Sequence, residues 1–118
     1  MNTKNIKTPK MGIEVELKEW ITGGESERID APIKDISFRV DSIGKGVADL
    51  NMGEAMRKSD EIAIGIIVLK IDGEARDILK RVQEMRKVDY DFVLKRVERV
   101  AKGLDLELPI FKKGAGTD

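Results

Sequence analysis

Alternating apolar and polar residues predict two strands in the first half of the chain. Residues 13–17 alternate apolar with charged side chains, which is the period of a half-buried strand. Residues 36–40 alternate in the same way and predict a second strand. Between them, a Gly-Gly pair at 23–24 and Pro32 interrupt regular structure, and residues 42–46 are typical of a turn.

Apolar residues spaced three and four apart predict helices in the last third. Residues 75–85 carry one apolar stripe, and Asp72 is a suitable N-cap for it. A second stripe runs over residues 90–104, with Asp89 as its N-cap and Gly103 marking its end. Because the link between them is short, we expect two antiparallel helices with facing stripes.

The segment between these regions fits two secondary structures. Its apolar residues have helical spacing, which predicts a helix over residues 53–64. The run that follows is rich in β-branched residues, which favours a strand. The choice between helix and strand is open for residues 62–71, and we expect this run to be deeply buried.

Strands first and helices last predict an α+β fold. We expect N-terminal antiparallel β-strands followed by C-terminal helices packed as an antiparallel pair, in one domain over residues 13–104. Residues 1–12 are polar without periodicity and predict a flexible leader. Residues 105–118 contain Pro109 and two glycines and predict a flexible tail. The pattern leaves the architecture of residues 24–50 open.

Composition narrows the possible functions. The 118 residues include 22 basic and 22 acidic side chains, with no Cys and no His. This excludes disulfides and thiol nucleophiles, and removes the usual proton shuttle and commonest metal ligand. Zero net charge gives no overall attraction to nucleic acid or anionic membranes. We therefore expect that the protein is not an enzyme and that it binds no cofactor, metal ion or small-molecule substrate.

The same sequence predicts a cytoplasmic protein. Residues 1–10 are polar and basic and lack the apolar stretch of a signal peptide. The longest apolar run, residues 62–69, is far shorter than the roughly 20 residues that span a bilayer. We therefore expect no membrane partner.

Aromatic and basic residues supply candidates for partner binding. Phe92 lies off the second apolar stripe, on the side of Arg96 and Arg99. It either packs against the strands or the previous helix, or it forms an exposed aromatic contact ringed by basic groups. Trp20 either anchors the first strand in the core, which is the favoured interpretation, or serves as an interface residue. Tyr90 completes this set of candidates.

Several strings resemble the tail assembly chaperones of long-tailed bacteriophages and prophages. Members of that family typically open with a strand that ends in a pattern like LKSWITG. The resemblance covers about residues 13–104, and residues 24–50 fit it only loosely. Its strings are Val15-Glu-Leu-Lys-Glu-Trp-Ile-Thr-Gly, Asn51-Met-Gly-Glu-Ala, Ile66-Ile-Val-Leu-Lys-Ile-Asp-Gly-Glu with Ile78-Leu, and, most specific, Met85-Arg-Lys-Val-Asp-Tyr-Asp-Phe-Val with Val97-Glu-Arg-Val.

The resemblance implies a non-enzymatic function in the host bacterial cytoplasm. Such chaperones bind the aggregation-prone tape measure protein while tail tube subunits polymerise around it, and they are absent from the finished tail. The implied partners are the tape measure protein and, in second place, the tail tube protein, and self-association is expected. Many members are made in two lengths by programmed frameshifting, and Lys112-Lys113 is compatible with a slippery site.

Two other functions are compatible with the sequence. The first is a structural component of a phage tail or baseplate, which would remain in purified particles. The second is a small nucleic-acid-binding regulator that uses the basic residues of the last helix, and it predicts salt-dependent binding. The neutral net charge argues against the second.

Overall fold

The computed structural model describes residues 2–43 and 45–104, with side chains for residues 2–35 and 52–104. The expected C-terminal tail, residues 105–118, and the Lys112-Lys113 pair lie outside the described residues. The elements run in the order β1 (Thr3–Lys7), β2 (Glu14–Lys18), α1 (Gly23–Ile43), α2 (Lys45–Ile67), β3 (Val68–Ile71), α3 (Ile78–Gln83) and α4 (Lys87–Ala101).

The three strands form one antiparallel sheet with β2 in the centre. Val15 and Leu17 of β2 are completely buried, whereas Glu14 is exposed and Glu16 partly so. The alternation predicted for this segment is therefore confirmed, and it gives the sheet one apolar and one polar face. Helices cover the apolar face, which confirms the α+β class and the helical C-terminal part.

The core is formed by this sheet face and helices α2, α3 and α4, with Ile29 contributed by α1. Complete burial of an aliphatic side chain contributes about 1.5–3 kcal/mol, so these contacts are the main stabilising term. The buried members are Val15, Leu17, Ile29, Ala63, Ile64, Ile67, Val68, Ile71, Val82, Met85, Val93, Val97 and Val100.

Helix α1 contradicts the predicted strand at residues 36–40, which lie within it. Pro32 is also inside this helix, although a proline removes one helical hydrogen bond. The start of α1 is stabilised by a capping box: the backbone N–H of Thr22 donates to Glu25 Oε1 (3.0 Å), and that of Glu25 donates to Thr22 Oγ1 (3.1 Å). Lys18 Nζ lies 2.7 Å from Glu25 Oε2, so the end of β2 is tied to α1.

Helix α2 packs along α1, and the Ser59 hydroxyl donates a buried hydrogen bond of 2.7 Å to the carbonyl of Ile29. The helix predicted over 53–64 is confirmed within α2. The segment 62–71, left open by its pattern, is helix as far as Ile67 and strand from Val68. Residues 42–46, predicted as a turn, belong to the two helices except for residue 44, which is outside the described residues.

Strand β1 shows that residues 3–7 are not a flexible leader. Ile6 pairs with Val15, and the strand is bonded to β2 along its length. The segment carries only one large apolar side chain, Ile6, so its hydrophobic pattern gave no strand signal. Its lysines, Lys4 and Lys7, are typical of edge strands, where charge opposes aggregation.

The expected N-cap Asp72 is a turn residue. Asp72 and Gly73 have φ values of 50° and 81°, and Ile71 and Glu74 exchange backbone hydrogen bonds of 2.8 and 3.0 Å. Positive φ at both central positions is the type I′ geometry that Asp-Gly favours. The Asp72 carboxylate accepts the backbone N–H of Glu14 (3.0 Å), so it joins this turn to β2. Helix α3 begins only after Asp77.

The other expected N-cap, Asp89, is the third residue of α4, which begins after Arg86. Its buried carboxylate accepts the backbone N–H groups of Lys10 (2.9 Å) and Met11 (2.8 Å), in the loop between β1 and β2. Burial raises the pKa of Asp89, but these bonds, the Thr8 hydroxyl and Arg86 outweigh it, and the pKa lies below its ordinary value. Asp89 therefore fixes the strand loop to the start of α4.

Candidate partner-binding surface

Helix α4 presents two different faces. Val93, Val97 and Val100 are completely buried against the core, and Gly103 (φ 76°) ends the helix as predicted. The opposite face is aromatic and basic, since a rotation of about 100° per residue brings its members together. This outer face of α4 carries Phe92, Lys95, Arg96 and Arg99, with Lys102 at the C-cap and the acidic residues Asp91 and Glu98 also exposed on it.

The sequence left open whether Phe92 packs in the core or is exposed beside basic groups, and the structure shows parts of both. Its ring is half-buried and packs against the core, as the first interpretation requires. The guanidinium carbon of Arg96 lies 3.6 Å above the ring centroid, and Arg96 Nη1 donates to the Phe92 carbonyl (3.1 Å). This cation–π contact orients Arg96 along the helix surface.

A groove follows the second half of the outer face. It has a volume of about 260 Å³ and is lined by Lys95, Glu98, Arg99, Lys102 and Leu104. Three of these side chains are basic and one is acidic, so the lining has a positive excess. Leu104, which is 48% exposed, adds an apolar contact at its end. The structure thus brings Arg99 into a surface with Phe92 and Arg96.

Tyr90 belongs to a different environment. It is half-buried on the core side of α4. Burial raises the pKa of its hydroxyl, and the negative charges of Asp60, Asp91 and Glu61 raise it further, against a smaller opposing effect of Lys87. Tyr90 therefore lies among acidic groups of α2 and α4 rather than on the outer face.

Trp20 is not a core residue, contrary to the favoured interpretation. It is 57% exposed and lies in the loop between β2 and α1. The alternation that buries Val15 and Leu17 ends with β2 at Lys18, and the capping box begins at Thr22, so Trp20 falls between the two. It is available as an interface residue, but on another element than α4.

A second groove was not predicted from the sequence. It has a volume of about 200 Å³, with an apolar lining from Met11, Ile13, Ile71 and Met85 and a polar rim from Asp72, Arg81 and Glu84. Met11 is 53% exposed. The sequence signal for this groove was weak, since Met11 is an isolated methionine in the segment predicted to be a flexible leader. The hydrogen bond from Met11 to Asp89 holds the β1–β2 loop beside the core.

The described residues contain no group of three acidic side chains placed to hold a metal ion. Within the same part of the chain, no helix is both long and apolar enough to cross a bilayer. Comparison of the chain with protein-family models, with curated proteins and with solved structures found no match.

Proposed function

We propose that this protein is a tail assembly chaperone of a long-tailed bacteriophage or prophage. It binds the tape measure protein in the host bacterial cytoplasm and keeps it from aggregating while the tail tube assembles. It acts by binding and not by catalysis, and it is not retained in the mature virion. The tail tube protein is a second partner, and self-association accompanies binding.

One observation carries this proposal: the strings that resemble the family occupy neighbouring elements. Residues 15–23 include all of β2 but its first residue, residues 66–74 include β3, and residues 85–93 open α4. β2 pairs with β3, and Asp89, within residues 85–93, holds the loop that leads into β2. Three of the strings therefore fall on the residues that build the sheet and its contact with α4, and the string at residues 51–55 lies in α2.

Exposed apolar side chains support a binding function. Trp20, Met11 and Leu104 are each about half exposed, and Phe92 is accessible beside Arg96. Trp and Arg are the residue types that contribute most at protein interfaces. A protein that covers apolar helical segments of a partner needs such side chains on its surface.

Co-expression with the tape measure protein of the same phage tests the proposal. We expect the tape measure protein to be soluble and to co-purify with the chaperone only when both are made. Trp20→Ala should reduce the recovered complex. Met56→Ala is the matched control, because Met56 is 55% exposed on a different element, α2, and should leave recovery unchanged. An insoluble tape measure protein in the presence of the chaperone would contradict the proposal.

Mass spectrometry of purified phage particles distinguishes the main alternative. A chaperone is absent from mature particles, whereas a structural tail or baseplate component is present in fixed copy number. Detection at such a copy number would replace the chaperone proposal with the structural one. The nucleotides that encode residues 111–118 give an independent test, since a slippery heptamer with an overlapping extension is expected for a chaperone.

A further inference from the structure

The outer face of α4 has a regular arrangement of positive charge. Lys95, Arg99 and Lys102 follow one another at i, i+4 and i+7, which places them in one row about 10 Å long. We call these three residues the basic row. Phe92 lies one turn before it, and Leu104 lies at its other end. The row therefore has an apolar contact near each end.

This positive charge is local. The whole chain has no net charge, yet four basic residues lie within the eight positions from Lys95 to Lys102, with Glu98 as the acidic member. Lys95 and Lys102 are exposed, and Arg96 is oriented by Phe92. Charges arranged in this way steer and align a partner of opposite sign more than they stabilise the fold.

The size of the groove limits what it accommodates. A volume of about 260 Å³ is below the usual range for small-molecule pockets, about 300–1,000 Å³, and the groove is open along the helix. A row of side chains from another helix fits this shape. Acidic residues of such a helix at i, i+3 or i+4 and i+7 match the spacing of the basic row, and one apolar side chain beside them contacts Leu104.

We propose that the basic row binds an acidic amphipathic helix of a partner protein. This inference rests on the proposed function, whose partner segment it describes by its chemistry. Carboxylates of the partner pair with Lys95, Arg99 and Lys102, and its apolar residues contact Leu104 and the edge of Phe92. Nucleic acid is the other polyanion of suitable charge, but the chain as a whole has no net positive charge to attract it.

Fluorescence anisotropy with synthetic peptides tests this inference on the full-length protein. The probe is an Ala-based peptide of about 20 residues, long enough to be helical, with Glu at i, i+4 and i+7 and Leu on the adjoining stripe. A second peptide carries Lys in place of Glu, and a third probe is a labelled single-stranded DNA. We expect binding of the acidic peptide alone, with an affinity that falls as salt rises.

Charge-reversed variants locate the binding site. Lys95→Glu with Lys102→Glu should weaken binding of the acidic peptide by about tenfold or more. Lys34→Glu with Lys80→Glu is the matched control, because it changes net charge equally at exposed positions of α1 and α3 and should bind like wild type. Lys95→Gln with Lys102→Gln gives a milder second variant, should the first fail to fold, and is expected to weaken binding in the same direction.

Every other outcome overturns the inference. These outcomes are no binding of the acidic peptide, equal weakening by both double variants, equal binding of the Lys peptide, and tighter binding of DNA. The peptide assay contains no tape measure protein, so its failure leaves the co-expression result standing. Conversely, peptide binding at the basic row together with failed co-expression would contradict the chaperone function and leave the surface assignment intact.

Discussion

Replacement of Asp89 by Ala is the sharpest test of how this fold is held together. The carboxylate is completely buried and accepts the backbone N–H groups of Lys10 and Met11, which lie 79 and 78 positions away in the chain. In Asp89→Ala both N–H groups lose their acceptor at once. The loop between β1 and β2 then loses its contact with the start of α4, and the N-terminal strand is weakened with it.

The expected loss is a large share of the total stability. A hydrogen bond to a charged group contributes about 1.5–3 kcal/mol, whereas the free energy of unfolding of a small domain is about 5–15 kcal/mol. Two such bonds are lost, and a domain of this size changes its Tm by about 4 °C per kcal/mol. We therefore expect the Tm of Asp89→Ala to be lower than that of wild type by at least about 10 °C.

Thermal unfolding followed by circular dichroism measures this difference, with Asp91→Ala as the matched control. Asp91 is on the same turn of α4, but its side chain is 54% exposed and pairs with Lys87 at the surface. Exposed pairs of this kind contribute little, so the Tm of the control should change by no more than about 2 °C. An equal Tm for the two variants would refute the role assigned to Asp89.

The pH dependence gives a second check on the same residue. The folded-state pKa of Asp89 lies below its ordinary value, so its ionised form stabilises the fold at neutral pH. That stabilisation is lost as the pH falls through the folded-state pKa. The difference in Tm between wild type and Asp89→Ala should therefore shrink from pH 7 to pH 3, and an undiminished difference at pH 3 would contradict an ionised acceptor.

Four further variants test other parts of the fold. Thr22→Ala removes the capping hydroxyl of α1 and should lower the free energy of unfolding by about 1 kcal/mol in urea titration, whereas Thr22→Ser should not. Burial and the nearby charge of Glu98 raise the pKa of Asp60, so its ionised form destabilises the fold above that pKa. Asp60→Asn should therefore raise the urea midpoint at pH 7 and have a smaller effect at pH 4. Gly103 has a φ of 76° and open space around its Cβ position, so Gly103→Ala should cost about 1 kcal/mol through backbone strain alone. Gly65→Ala, in the interior of α2 with equally open space, should instead stabilise by about 0.5–1 kcal/mol.

Each of these variants has an outcome that contradicts its premise. Equal midpoints for Thr22→Ala and wild type would mean that the capping box does not hold the start of α1. A fall in the midpoint of Asp60→Asn at pH 7 would mean that the ionised carboxylate is stabilising. The same sign of change for the two glycine variants would contradict their different backbone conformations.

The elements with strong local patterns could be predicted from the sequence. Residues 13–17 alternate because one face of β2 meets the core and the other does not. The stripe of α4 has helical spacing because Val93, Val97 and Val100 all meet the same core. Phe92 does not fall on that stripe, so its place on the outer face could also be predicted from the helical period. These features depend only on neighbouring residues.

Helix α1 was missed although its sequence carries a helical signal. Ile29, Ile33, Ile36, Val40 and Ile43 are separated by four, three, four and three positions, which is the period of an α-helix. Within the short window 36–40, Ile36, Phe38 and Val40 also alternate with polar residues, and this shorter pattern predicts a strand. The capping box at the start of the helix is the local signal that would have decided the question.

The remaining features depend on contacts between distant parts of the chain. Strand β1 has a single large apolar residue, and only pairing with β2 makes it a strand. The burial of Asp89 depends on a loop nearly 80 positions away. The exposure of Trp20 depends on where β2 ends and α1 begins. No local pattern contains this information, so the sequence suggested the more common outcome in each case.

Some acidic residues of this chain hold the fold together, whereas basic residues gather at the outer face of α4. Asp89, Glu25 and Asp72 each bind backbone N–H groups at a junction: the β1–β2 loop with α4, the start of α1, and the β3 turn with β2. Asp72 remains exposed at its turn, whereas Asp89 is removed from contact with a partner by burial. The basic side chains Lys95 and Lys102 are exposed. Between Lys95 and Lys102 four basic residues outnumber the single acidic residue, Glu98, so this stretch has a local positive excess in a neutral chain, and it is the surface that we assign to partner binding.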